Sequence, residues 1–264
     1  MKKQAFSLVE LSIVLVILGL LTGGILGGQS LIRAAELRSI TADFSRYNAA
    51  FRTFQDKYFA FPGDMRNATA FWGFAAGTAG NDATCFNATQ TGAGTCNGDG
   101  NGDLISPPTA SATNPQGETF HAWKQMANAG LVEGTYTGYR GTGGAYNTTP
   151  GVNVPRGRIS NAGFSLWSNA ASHIDANWFP TKSGPLLMFG TSTTGITESP
   201  AIKPEEAWNL DTKLDDGRPG LGNVRTHKQG SSFTPNCTDT TDPNTAAYVL
   251  SSNGVLCNIY MFML

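Results

Sequence analysis

The hydrophobic pattern divides the first sixty residues into two helical regimes. From Leu11 to Gly28 no charged residue occurs and apolar side chains dominate. At 1.5 Å per residue those positions span roughly 27 Å as a helix, close to the thickness of a bilayer core. From Leu37 onward the pattern changes. Leu37, Ile40, Phe44, Tyr47, Phe51, Phe54 and Tyr58 follow at steps of three and four, one apolar stripe on one helix face. Arg38, Asp43, Arg46, Arg52, Asp56 and Lys57 take the other face. No proline precedes Pro62, so a single helix from Phe6 to Tyr58 is predicted, roughly 80 Å long if continuous. A secretory signal peptide, with Gly28-Gln29-Ser30 as a small-residue cleavage site, would explain the apolar run by itself. So would a simple membrane anchor. Neither explains the amphipathic continuation, nor Glu10 at the edge of the run. A carboxylate in lipid costs about 2.5–3.5 kcal/mol at the helix centre and somewhat less near an interface, so Glu10 calls for a partner.

Phe61-Pro62-Gly63-Asp64 stops the long helix, because the residue before a proline avoids helical geometry. Asp64 predicts the N-cap of a short helix through Ala70, Phe71 and Trp72. Residues 77–117 lose all periodicity, fill with Gly, Thr, Asn and Ala, and predict a long surface excursion. Helical spacing returns from Glu118 to Ala129, with Phe120, Trp123, Met126 and Ala127 on one side and Gly130 as the stop. Short runs bounded by Gly, Pro, Asn or Asp then predict strands at Val132–Tyr139, Arg158–Trp167, Leu186–Gly190, Ala247–Ser251 and Leu256–Phe262. Pro204-Glu205-Glu206 opens another short helix, with carboxylates at the positive end of its dipole. The fold class expected is α+β: a long N-terminal helix, membrane-spanning in its first half and amphipathic in its second. It packs on a C-terminal antiparallel β-sheet head with long loops.

Composition narrows the function classes. With 18 basic and 19 acidic residues among 264 the formal charge is −1, so no nucleic acid is expected as a partner. Charged residues make up 14% against a usual quarter, while hydrophobic residues reach only 40%. The surface is therefore built from Asn, Thr, Ser and Gly, a coat that suits a secreted or surface protein. Lys2 and Lys3 precede the apolar run, which places the N-terminus in the cytoplasm by the positive-inside rule.

Lys2-Lys3-Gln4-Ala5, then Phe6-Ser7-Leu8-Val9-Glu10 and the apolar run, resemble the start of a type IV pilin or type II secretion pseudopilin. The stretches Phe61 to Trp72 and Phe120 to Leu131 also resemble a long-form pilin-like subgroup. The resemblance implies cleavage by a prepilin peptidase between Ala5 and Phe6 and N-methylation of Phe6. It also implies an assembly role for Glu10, whose carboxylate would pair with the new ammonium of a neighbouring subunit inside the filament. At Ala5 the sequence departs from the family, which strongly prefers Gly; alanine is the next smallest residue. The domains implied are a leader over 1–5, a transmembrane and filament-core helix over 6–30, the amphipathic half over 31–60 and a pilin-like head over 61–264. The partners implied are copies of itself or other pilins, the peptidase, the inner-membrane assembly machinery and the lipid bilayer before assembly. The location implied is the inner membrane with the head in the periplasm, then an extracellular filament. Gly19, Gly23, Gly24, Gly27 and Gly28 fit two readings: close helix packing, or local unwinding from Thr22 to Gly28 on assembly, as such pilins often show.

Cys85, Cys96, Cys237 and Cys257 admit three disulfide pairings. The local pairing, Cys85 with Cys96 and Cys237 with Cys257, would close two irregular loops and contribute about 3 kcal/mol each on a chain-entropy model. No Cys-x-x-Cys spacing supports zinc. Two acidic runs are candidate calcium sites. Asn97, Asp99, Asn101 and Asp103 alternate as an EF-hand loop begins, but Pro108 stands where the closing Glu belongs. A distant carboxylate such as Glu118 would have to complete it, and Asx-Gly runs are commonly plain turns. The second run, Asp211, Asp215 and Asp216 within Asp-x-Lys-x-Asp-Asp-Gly-x-Pro, resembles a stretch of pilin-like proteins, some of which bind calcium in their C-terminal loops. No catalytic motif is present and His121, His173 and His227 are scattered, so no enzyme is expected. Two classes follow: a filament subunit, or a membrane-tethered or secreted calcium-binding or adhesive domain that does not polymerise.

Overall fold

The computed structural model describes residues 8–75, 92–104, 118–139, 147–169, 177–179, 184–192, 195–232, 234 and 236–263. The chain divides into two compact units, one ending at Ser39 and the other beginning at Ile40. Helix α1 (Leu8–Tyr58) supplies the first unit and opens the second.

In the second unit the predicted stripe becomes core. Ile40, Phe44, Tyr47, Ala50, Phe51 and Phe54 of α1 are buried, while Arg46, Arg52, Asp56 and Lys57 stay exposed. Three further helices are described: α2 (Ala68–Trp72), α3 (Glu118–Asn128) and α4 (Pro204–Leu214). Four strands, β1 (Ala162–Asn169), β2 (Gly184–Thr191), β3 (Val224–Arg225) and β4 (Ile259–Phe262), form one antiparallel sheet in the order β1-β2-β4-β3. The architecture is α+β. Strand pairing sets Phe164 opposite Phe189, their rings 4.9 Å apart, and the rings of Phe44 and Tyr47 from α1 meet Phe164 edge-on. The opposite face of the sheet buries Leu186, Met188, Tyr260 and Phe262 against Trp178 and Ile196. Because both faces are covered, Leu186-Leu187-Met188-Phe189 reads as an unbroken apolar run rather than an alternation.

Helix α3 is buried along its length, including Glu118, Lys124 and Gln125. Gln125 bridges two segments, accepting the Gly63 N–H at 2.7 Å and donating to the Cys96 carbonyl at 3.1 Å. Several predicted elements differ. Asp64 does not cap α2, which begins at Ala68 after Asn67; its carboxylate accepts backbone N–H groups of Asn101 and Gly102 instead. Val132–Tyr139 is irregular: the Thr137 N–H bonds the Val152 carbonyl at 3.0 Å, but the segment forms no strand, and the Tyr136 hydroxyl donates to the Glu133 carbonyl. Ala247–Ser251 makes a single bridge through Tyr248 to Thr238. The strand expected over Arg158–Trp167 is shifted toward Asn169, and β3 is an addition too short to leave a pattern.

Candidate functional site

The first candidate is the apolar part of α1. Its most apolar eighteen-residue stretch has a mean hydropathy of 2.4, and none of it is buried. Leu8, Leu20 and Leu31 are 84%, 73% and 73% exposed. Such a surface is unfavourable in water and suits lipid or the core of an assembly. Three hydroxyls here bond the helix backbone itself: Ser12 donates to the Val9 carbonyl, Thr22 to Leu18 and Gly19, and Ser30 to Gly27. Those bonds satisfy the hydroxyls without water, as a hydrocarbon environment requires. Glu10 is exposed in the first turn. Gly19, Gly23, Gly24, Gly27 and Gly28 lie within the helix, and a Cβ built on any of them would meet nothing within 4 Å. Ala5 and Phe6 lie outside the described residues.

The second candidate is the turn that follows α4. Asp211, Asp215 and Asp216 each bring a carboxylate oxygen within 4.8 Å of the others. Asp211 is fully buried, accepting from the Tyr248 hydroxyl at 2.9 Å and from the Gly217 N–H at 3.2 Å. Asp215 accepts the N–H groups of Asn223 and Val224, and Asp216 that of Arg218. A side chain at Gly222 would put its Cβ into the Asp215 carboxylate, so this close approach requires glycine. Burial pushes the Asp211 carboxyl up to about 7, opposed by its bonds from Tyr248 and Gly217 and reinforced by Asp216 and Asp215. A set of carboxylate oxygens is the donor chemistry of a hard cation such as Ca2+. The Cys237–Cys257 disulfide closes the loop that carries Tyr248 to Asp211, and Cys257 also pairs through its backbone with Ile202 just before α4. Tyr248 is a member of this site that no sequence motif marks.

The Asn97–Asp103 run is arranged differently from an EF-hand loop. Asp99 accepts from Asn101 and Asn101 from the Asp103 N–H, which are turn-closing bonds, while Asn97 accepts from the N–H and hydroxyl of Thr69 in a distant segment. The structure instead brings Asp99 to Asp64 and Glu118, with oxygens of all three within 4.8 Å. Glu118 accepts the Asp99 N–H at 3.1 Å. Burial raises its carboxyl to about 9, countered by that bond and helped by the neighbouring acids; burial likewise raises Asp64 to about 6. Asp64 was legible only as a helix cap, since its partners lie 37 and 38 residues downstream.

Cys96 is buried, and Cys85 lies outside the described residues. The histidines that are described are buried: His121 sits 2.9 Å from the Thr95 hydroxyl, and His227 packs edge-on to Trp178. His173 lies outside the described residues.

The chain matches the family model of the prokaryotic N-terminal methylation motif over residues 1–26. No curated protein and no solved structure matches it. The motif covers the first 26 of 264 residues and indicates a type IV pilin-like precursor.

Proposed function

We propose that the protein is a structural subunit of a type IV pilus or pilus-like secretion filament. Prepilin peptidase would cut between Ala5 and Phe6 and methylate Phe6, and the subunit would wait in the inner membrane with its head in the periplasm. Assembly would then bury the apolar half of α1 among the same helices of neighbouring subunits. The observation that carries this reading is the methylation motif running directly into a long apolar helix that its own chain leaves uncovered. A helix of that kind needs lipid at one stage and partner helices at the next, and Glu10 supplies a charge for a partner's N-terminus. The glycines, with open space around them, leave room for close approach of another backbone. Glu10→Gln tests the reading: filaments should be lost or form slowly while the head stays folded, whereas normal filaments would refute it.

The head carries a second proposed property, calcium binding at Asp211, Asp215 and Asp216, supported by the convergence of the three carboxylates. That property alone would also suit a tethered calcium-binding or adhesive domain that never polymerises.

A further inference from the structure

Asn-Gly pairs occur at Asn97-Gly98, Asn101-Gly102 and Asn253-Gly254. Glycine has no side chain to keep its backbone nitrogen away from the amide carbon of the asparagine before it, so the pair is prone to close into a ring. By sequence the three pairs are equivalent, but the fold treats them differently.

Asn97 is held at both ends. Its Oδ1 accepts from the Thr69 N–H at 2.9 Å and from the Thr69 hydroxyl at 3.0 Å. The Gly98 N–H donates to the Met65 carbonyl at 2.9 Å, and Gly98 packs so closely on Asp64 that a Cβ would collide with its backbone. Asn101 is exposed yet also fixed. Its Nδ2 donates to the Asp99 carboxylate at 3.0 Å and its Oδ1 accepts the Asp103 N–H at 2.7 Å. The Gly102 N–H donates to the Asp64 carboxylate at 2.9 Å. In both pairs the attacking nitrogen and the amide it would attack are tied to different partners. Those bonds must break before a ring can close.

Asn253 and Gly254 are both exposed, and the Asn253 side chain makes no hydrogen bond to any described residue. The Gly254 N–H reaches only the Ser252 hydroxyl, at 3.4 Å, beyond the usual range of such a bond. Firm anchors lie on either side. The Ser252 N–H bonds the Val249 carbonyl at 3.0 Å, and the Leu256 N–H bonds the Ile202 carbonyl at 3.1 Å. Among the described residues no backbone–backbone bond ties residues 253–255, so this span can turn without giving one up.

We propose that Asn253 is a site of spontaneous covalent modification in the folded head, converting to aspartate and isoaspartate while Asn97 and Asn101 are protected. Solvent hydroxide takes the Gly254 amide proton, and the nitrogen attacks Asn253 Cγ. The new N–Cγ bond forms as the Cγ–Nδ2 bond breaks, and the leaving nitrogen takes a proton from water and departs as ammonia. Water then adds to one or the other carbonyl of the cyclic imide and opens it. One opening gives aspartate. The other gives isoaspartate, which routes the backbone through the former side chain and lengthens it between the two anchors. Either product places a new negative charge in the loop closed by Cys237 and Cys257. The site belongs to the head and does not depend on the filament reading.

The test follows the full chain in a zwitterionic detergent and mildly alkaline buffer over several weeks. Peptide mass spectrometry with electron-transfer fragmentation locates each new acid and tells isoaspartate from aspartate. In the folded protein Asn253 should convert roughly tenfold faster or more than Asn97 and Asn101. In urea with the disulfides reduced, the three should convert at similar rates. Asn253 remaining an amide in the folded protein would overturn the proposal. So would conversion of Asn97 or Asn101 at the same pace. A lead for Asn253 that persists unchanged in urea would make local sequence the cause, and would overturn it too.

Discussion

Glu118 opens α3 with its side chain buried and its carboxylate accepting the Asp99 N–H, close to the carboxyls of both Asp64 and Asp99. Burial raises Glu118 to about 9 and Asp64 to about 6, whereas in the unfolded chain both titrate near 4. The folded state therefore holds protons that the unfolded state has released. The stability contributed this way is full below about pH 4 and declines as pH rises through 6 and toward 9. Melting temperatures measured from pH 5 to 9 should fall for the wild type. Glu118→Gln keeps an oxygen for the Asp99 N–H but has no proton to lose, so its decline should be shallower and the gap should widen with pH. Equal slopes for the two proteins would contradict this. The sequence offered Glu118 as a distant carboxylate for the run that holds Asp99, but not Asp64, because the three acids are brought together by folding from three separate segments. Asp64 looked like a helix cap because it precedes α2 at the right distance, and only the tertiary fold shows its oxygens committed to the loop at Asn101 and Gly102.

At the scale of elements, periodic segments were legible and short ones were not. The stripe of α1 is a 3.6-residue repeat sustained over about six turns, and every residue from Ile40 to Phe54 in it is buried as expected. Helix α3 carried both a period and a stop signal, and α4 a start signal. Strands β2 and β4 were visible as apolar runs, but β3 has two residues and no period to detect. Tyr136 and Tyr248 favour strands by type, yet each sits in an irregular segment; the Tyr136 hydroxyl bonds the nearby Glu133 carbonyl, and the Tyr248 hydroxyl reaches Asp211, 37 residues away. The end of α4 and the turn after it bring together the three aspartates that the resemblance singled out, and the disulfide loop adds Tyr248. If that turn binds calcium, the ion should displace the need for a proton on Asp211, whose carboxyl burial has raised. Adding Ca2+ near pH 7 should raise the melting temperature of the wild type and leave the Asp215→Ala, Asp216→Ala double variant unchanged. An equal rise in both, or none in either, would remove the site.

For the whole molecule, the overall composition describes neither of its parts. The charge of −1 includes Lys2 and Lys3; taking those two from 18 leaves 16 basic against 19 acidic side chains, or −3, in a chain cut before Phe6. The 40% hydrophobic content averages an uncovered apolar helix with a head rich in Gly, Asn and Thr. These features fit together if the N-terminal part serves membrane and filament in turn while the head faces outward. That account depends on processing at one peptide bond, so the mature N-terminus is its most direct test. N-terminal sequencing and intact mass of the protein purified from its native membranes should give a chain beginning at Phe6 and carrying one added methyl group. An intact Met1, or a start at Leu31 as signal-peptide cleavage would leave, would contradict it.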